Sequence, residues 1–129
     1  MATVRLAFSP APEYVRTARL VGVAVARRAG VAEELLEDVR LAIGEACGLA
    51  VARCRRAGLN ELVQVEMSDD GPYTVRVRDS AGSAADDDPN DADRMGEVLL
   101  AGLVEQLRVH HGEDGTEVQM TWPTRQHRL

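Results

Sequence analysis

Glu45 is the residue whose setting most needs a chemical explanation. It stands in a run from Leu35 to Arg56, LLEDVRLAIGEACGLAVARCRR. In that run Leu35, Val39, Ala42, Ile43, Ala46, Cys47, Ala50, Val51 and Cys54 recur at spacings of three and four, which predicts one amphipathic helix. A second stripe of the same helix, Asp38, Leu41, Glu45, Gly48, Leu49 and Ala52, is mostly small or apolar, with Glu45 at its centre. A helix apolar on two sides is sandwiched between other elements. A carboxylate in such a stripe is costly to bury unless a partner pairs with it. Two readings stand side by side: a functional carboxylate, or a Glu at the stripe edge that reaches water.

The other chemistry-bearing residues do not assemble into a metal site. Cys47 and Cys54 lie about 10 Å apart along one helix, too far to bridge each other. The sequence has no CxxC or HExxH spacing, and His110, His111 and His127 are too few and too late for a zinc set. Both cysteines therefore read as small buried hydrophobes. Asp86, Asp87, Asp88, Asp91 and Asp93 invite a calcium reading, but they lack the alternating ligands, central Gly and closing Glu of an EF-hand loop. No metal is expected.

Composition narrows the function classes. The chain has 129 residues and a formal net charge of −6. That length predicts one domain over residues 1–123 followed by a polar tail, 124–129. The acidic balance argues against a general nucleic-acid binder. So does the scarcity of aromatics (Phe8, Tyr14, Tyr73, Trp122), which leaves little to stack on bases. No apolar run reaches membrane-span length, and MATVRLAFSP lacks the pattern of a secretory signal. The expected location is cytoplasmic, with neither nucleic acid nor membrane as partner.

The elements that must position Glu45 can be read in order. Thr3 to Phe8 alternates as a half-buried strand. Ser9-Pro10-Ala11-Pro12-Glu13 predicts a helix start with Ser9 as cap, and that helix runs to about Arg28 and stops at Gly30. The Glu45 helix follows and ends near Gly58. Glu61 to Ser68 and Tyr73 to Asp79 alternate as two strands around the turn signal Asp69-Asp70-Gly71. Ser80 to Asp93 has no periodicity and predicts a long, solvated, poorly ordered loop. Arg94 to about Leu107 has helical spacing. Arg108 to His110 and Glu117 to Trp122 then flank a turn over His111 to Gly115. The order β-α-α-β-β-loop-α-β-β predicts an α+β fold, a two-layer α/β sandwich whose mostly antiparallel sheet is covered by three helices. The Glu45 helix should put Cys47 and Val51 toward the sheet.

With that order, and with the segments LAIGEACGLAV, VRVRDSAG and MGEVLLAGLVEQLRV, the chain resembles the anti-sigma-factor serine kinases of bacteria. These belong to the histidine-kinase-like (Bergerat-fold) ATPase superfamily, and the resemblance runs from the first strand to GTEVQMTW. It implies a nucleotide site built from three motifs. The first is a helical Glu, the general base, followed four residues later by an Asn that holds Mg²⁺. Glu45 matches, but Leu49 stands at the Asn position and offers a hard cation no oxygen. The second is an Asp after a strand that accepts a hydrogen bond from adenine, followed by glycines. Asp79 matches and Gly82 remains, displaced by one position, with Ser83 beyond it. Asp79 is equally a turn-former after a strand, and Gly82 is equally a loop glycine. The third is a Gly-x-Gly pair at a helix N-terminus facing the phosphates. Gly96 fits the second glycine, and Arg94 replaces the first.

Two functions follow from the resemblance. One is an anti-sigma-factor-like regulator that binds a sigma factor, a STAS-type anti-anti-sigma partner or both, with kinase activity weak or lost. In that reading neither ATP nor Mg²⁺ is an expected cofactor. The other is an active serine-protein kinase that phosphorylates an anti-anti-sigma factor with Glu45 as general base. The implied nucleotide residues are Glu45, Asp79, Gly82 and Gly96. The first two helices carry basic clusters, Arg16, Arg19, Arg27 and Arg28 on one and Arg53, Arg55 and Arg56 on the other, and Arg16 and Arg19 are the candidate partner-binding residues; the clusters read equally as solvated helix faces. The apolar stretch Leu20-Val21-Gly22-Val23 leaves surface for a homodimer.

Overall fold

The structure is a computed structural model that describes residues 3–82 and 91–125, with backbone alone at 91 and 92. The elements are β1 (Thr3–Phe8), α1 (Glu13–Ala29), α2 (Leu36–Arg56), β2 (Val63–Ser68), β3 (Tyr73–Asp79), α3 (Asp91–Ala101), β4 (Gln106–Gly112) and β5 (Gly115–Trp122). A single tight turn of 3₁₀ helix over Glu33–Leu35 leads into α2. Five strands form one sheet in the order β1-β2-β3-β5-β4. Each neighbouring pair is antiparallel. The α+β class and the element order agree with the sequence reading.

Alternation explains the sheet's two faces. Val63, Val65 and Met67 of β2, Tyr73, Val75 and Val77 of β3, and Val118, Met120 and Trp122 of β5 are buried under the helices. Their intervening neighbours form the opposite, polar face, where Glu66 bridges Arg5 and Arg76, and Glu117 pairs with Arg78. Onto the apolar face α2 contributes Val39, Ile43, Cys47, Ala50, Val51 and Cys54, all buried. Each large apolar side chain so removed from water is worth about 1.5–3 kcal/mol. Cys47 and Val51 thus sit in the core while Glu45 is half-buried, as the stripe assignment requires. The Tyr73 hydroxyl donates to the Gly22 carbonyl of α1 at 2.7 Å, which ties that helix to the sheet.

Several boundaries differ from the sequence reading. Ser9 does not cap α1: the N-cap position is Pro12, with no side-chain cap bond. Gly30 does close it, at φ 93°, with its N–H on the Ala26 and Arg27 carbonyls. α3 starts at Asp91, before the expected Arg94, so the end of the acidic loop is helical. It also stops at Ala101, not near Leu107, and β4 starts at Gln106. The physical reason is that the Gly102 and Leu103 N–H groups close a turn onto Leu99 and Leu100, while Glu105 N–H already bonds to Thr121 of β5. Trp122 Nε1–H fixes the crossing by donating to the Leu103 carbonyl at 2.9 Å. The closing turn shrinks from His111–Gly115 to Glu113 and Asp114, because Gly112 pairs directly with Gly115. Residues 83–90 of the expected loop lie outside the described residues. After Pro123, Thr124 is buried and Arg125 N–H donates to the Gly30 carbonyl, so the start of the expected polar tail lies on the domain. Among the described residues no helix is long and apolar enough to cross a membrane.

Candidate functional site

The site residues lie where α2 crosses α3 beside the end of β3. The two helices run antiparallel there, since Arg53 and Arg56 of α2 meet Asp93 of α3, and Leu49, a turn earlier, meets Gly96. Leu49 is buried. A Cβ placed on Gly96 would fall 2.4 Å from Leu49 Cδ1, so the leucine occupies the space that a side chain at 96 would need. Glu45, one turn further back, is half-buried and takes part in no hydrogen bond or ion pair among the described residues.

Asp79 is the last residue of β3 and is only 6 % exposed. Its Oδ2 accepts from Arg53 Nε at 3.0 Å and from Arg53 Nη2 at 2.8 Å, and its Oδ1 accepts the Ala81 N–H at 3.0 Å. Arg53 is itself 8 % exposed. Its Nη1 reaches Asp93 Oδ1 at 3.4 Å, and Arg56 Nη2 reaches Asp93 Oδ2 at 3.2 Å. Asp93 is 5 % exposed. Arg53, Asp79 and Asp93 are therefore a buried group that joins α2, β3 and α3, and the half-exposed Arg56 completes a neutral set at its outer edge. Buried charges persist only when paired and hydrogen-bonded, and among the described residues no buried side-chain nitrogen or oxygen is left without a partner.

The remaining candidates take separate places. Gly82 is exposed but lies against the β4–β5 turn, where a Cβ would fall 1.9 Å from the Glu113 carbonyl oxygen. Arg94 is exposed and in no hydrogen bond or ion pair among the described residues. Arg16 is exposed on α1. Arg19 is half-buried and lies along Gly44 of α2. With Val15, Gly48, Ala52 and Arg55 it lines a depression of about 340 Å³ between α1 and α2, away from Asp79. Burial pushes the Cys47 thiol up to about 12, and the charge of Arg19 opposes that rise. Among the described residues no three His, Cys, Asp or Glu side chains converge as metal ligands.

The structure thus brings Leu49, Asp79 and Gly96 to one helix crossing, with Glu45 one turn before Leu49 on α2 and Gly82 three residues beyond Asp79 against the β4–β5 turn, and leaves Arg16 and Arg19 on α1. Sequence reasoning misses Arg53, Arg56 and Asp93. Arg53 reads with Arg55 and Arg56 as a basic helix end, and Asp93 reads as part of the acidic loop. One signal is present: Arg53 lies four residues after Leu49 and so continues the Glu45–Leu49 stripe inward.

Comparisons with known proteins accord with this arrangement. The family model of the histidine kinase-like ATPase domain matches residues 8–122. Among curated proteins none matches the sequence. Among solved structures, that of the RsbU and RsbW domains of Rv1364c from Mycobacterium tuberculosis superposes with a TM-score of 0.74 at 20 % identity. The match covers 95 % of this chain and 32 % of that one, so the chain spans about a third of its structural neighbour, and the likeness is one of fold. A family match over nearly the whole chain, on a five-stranded sheet carrying three helices, makes this protein a member of the histidine kinase-like ATPase domain family.

Proposed function

We propose that the chain is an anti-sigma-factor-like regulator that acts by binding proteins, a sigma factor or a STAS-type anti-anti-sigma partner, without needing nucleotide. One observation carries the reading. The Asp79 carboxylate, which in the resembling kinases would receive adenine, is already engaged on both oxygens, Oδ2 by the buried Arg53 and Oδ1 by the Ala81 N–H. The residues around it fit Mg²⁺-ATP no better. Leu49 supplies no oxygen, whereas Mg²⁺ demands near-octahedral oxygen ligands, and its side chain is packed onto Gly96. Phosphoryl transfer depends almost wholly on positioning and on charge stabilisation by the metal, so no transfer step is assigned to this site.

Partner binding is tested by a pull-down with folded bait in nucleotide-free buffer, together with calorimetry of ATP with and without Mg²⁺. The expected result is a sigma factor or STAS-type protein in complex, and no saturable heat from ATP. Charge reversal at Arg16 and Arg19 should weaken the complex with the circular dichroism unchanged. Recovery of neither partner class would defeat the reading. The alternative, a serine kinase with Glu45 as general base, draws on one feature: Glu45 is half-exposed and unpaired among the described residues. Phosphorylation of a STAS-type serine at about 1 per second or faster would establish it instead.

A further inference from the structure

The side of α2 that faces α1 carries a depression of about 340 Å³. Its apolar walls are Pro12 and Val15 of α1 with Val51 and Ala52 of α2, and Gly48 lies among them. A Cβ built on Gly48 would meet nothing within 4 Å, so the missing side chain leaves that space open. No clash requires a glycine there, although glycine is a poor helix former. Arg19 and Arg55 supply the charge of the lining. Arg19 is half-buried and is set in place by Gly44, where a Cβ would fall 2.8 Å from Arg19 Cδ and 3.3 Å from Nη1. Its guanidinium is in no hydrogen bond or ion pair among the described residues.

The acids of both wall-forming helices are described, and none lines the depression. Glu37 pairs with Arg40, and Glu13 lines an adjoining depression beyond Arg55. The acidic segment 83–90 joins β3 to α3. α3 in turn packs on the Leu49 and Arg53 flank of α2, roughly 130° round the helix from Gly48, Ala52 and Arg55. Residues 1–2 and 126–129 contain no Asp or Glu.

We propose that this depression binds a small amphiphilic carboxylate, an apolar body with one carboxylate head that Arg19 holds. A concave site of this volume, apolar with a few placed polar groups, has the character of a small-ligand pocket. The planar fork of a guanidinium matches a carboxylate through two parallel hydrogen bonds. One fixed guanidinium balances one negative charge, while Arg55 is exposed at the rim and screened by solvent and salt. Because Gly44 already lays Arg19 along α2, little side-chain ordering remains to be lost when the ligand arrives. The site is additional to the protein binding proposed above and does not rest on it.

The test follows backbone amide shifts of the isotope-labelled protein by NMR as octanoate is added. Octylammonium, with the same chain and opposite charge, and acetate, the head without the chain, are the controls. Octanoate should shift the Gly44, Gly48 and Val51 amides saturably, and each control should bind at least tenfold more weakly. Arg19→Gln should weaken octanoate binding at least tenfold. Gly48→Leu fills the open space and should abolish binding without lowering Tm. That variant keeps both arginines, so it separates this site from any partner contact made through Arg19. Undiminished binding by Gly48→Leu, equal binding of octylammonium, or shifts centred on α3 would overturn the proposal. So would a Glu-rich peptide that displaces octanoate at equal or lower concentration, which would assign the depression to a protein segment. A pull-down that recovers no sigma or STAS protein, together with the expected octanoate results, would remove the anti-sigma reading and leave this site standing.

Discussion

Replacing Arg53 by Met should be the most costly single change in the polar part of this domain. The arginine gives Asp79 two hydrogen bonds, at 3.0 and 2.8 Å, and reaches Asp93 at 3.4 Å. Methionine keeps much of the side-chain volume and removes all three contacts. Asp93 keeps Arg56 at 3.2 Å, so the loss falls mainly on Asp79, which retains only the Ala81 N–H. Stranding one partner of a buried ion pair costs about 3–5 kcal/mol. For a domain of this size that corresponds to a drop in Tm of roughly 10–15 °C. Urea unfolding followed by circular dichroism measures it, with an unchanged m-value showing that the transition stays two-state. The double variant Arg53→Met/Asp79→Asn removes the stranded charge. The amide oxygen it introduces can still accept the Ala81 N–H, so the double variant should recover at least half of the loss. A single-variant cost below about 1 kcal/mol, the level of an exposed pair, would refute the buried-pair argument. So would losses that simply add in the double variant.

Other consequences can be checked independently. Gly82→Ala would place a Cβ 1.9 Å from the Glu113 carbonyl oxygen, so the backbone must shift; a loss of about 1–3 kcal/mol in urea unfolding is expected. Leu49→Asn alone should transfer no phosphate from ATP to a STAS-type substrate. It should also destabilise the fold, because a polar group replaces a buried leucine beside Gly96. For Cys47 the direction of the pH effect is set by its raised folded value, about 12 against an ordinary 9.0. The folded state holds a proton that the unfolded chain releases. That stability is fully present below about pH 9 and is lost as pH rises toward 12, by up to about 4 kcal/mol. Burial of Tyr73 acts in the same direction. Equilibrium urea unfolding at a series of alkaline pH values measures the decline, and the native thiol should resist alkylation at pH about 8, where it stays protonated.

The sheet is legible in the sequence because a period of two needs only local pattern. Tyr73 to Asp79 matches β3 in full, and Val63, Val65 and Met67 fall on the core face as their alternation requires. The stretch after α3 is not legible for the same kind of reason. Leu99, Leu103 and Leu107 are spaced by four, yet Leu107 and Val109 also alternate, and only the ladder to Met120 and Val118 decides between helix and strand. Of the site, Glu45, Leu49 and Asp79 can be placed by their position in recognisable segments. The partner of Asp79 cannot. Arg53 lies on another element, and nothing in the local pattern of a helix end distinguishes an inward arginine from the outward Arg55 beside it. Asp93 is hidden likewise, as one acid among several whose arginine partners lie far back in the chain.

The strand order β1-β2-β3-β5-β4 also sets the sequence of events in folding. β2 with β3, and β4 with β5, are hairpins between neighbours in the chain and can each close on a short turn. The seam between β3 and β5 is different: like the pairing of β1 with β2 across α1 and α2 it is non-local, and it joins the two hairpins across α3 and the segment before it, in a register from Tyr73↔Trp122 to Asp79↔Thr116. Forming it requires closing a long loop before any contact rewards the closure, which is the slow step in folds of this kind. Val77→Ala and Val118→Ala, which face each other across the seam, should therefore slow refolding. Substitutions at the outer edge of β4 should act mainly on the unfolding rate. The seam between the two hairpins lies at the strand that ends in Asp79, so the residue that anchors the buried charges also marks where the two hairpins become one sheet.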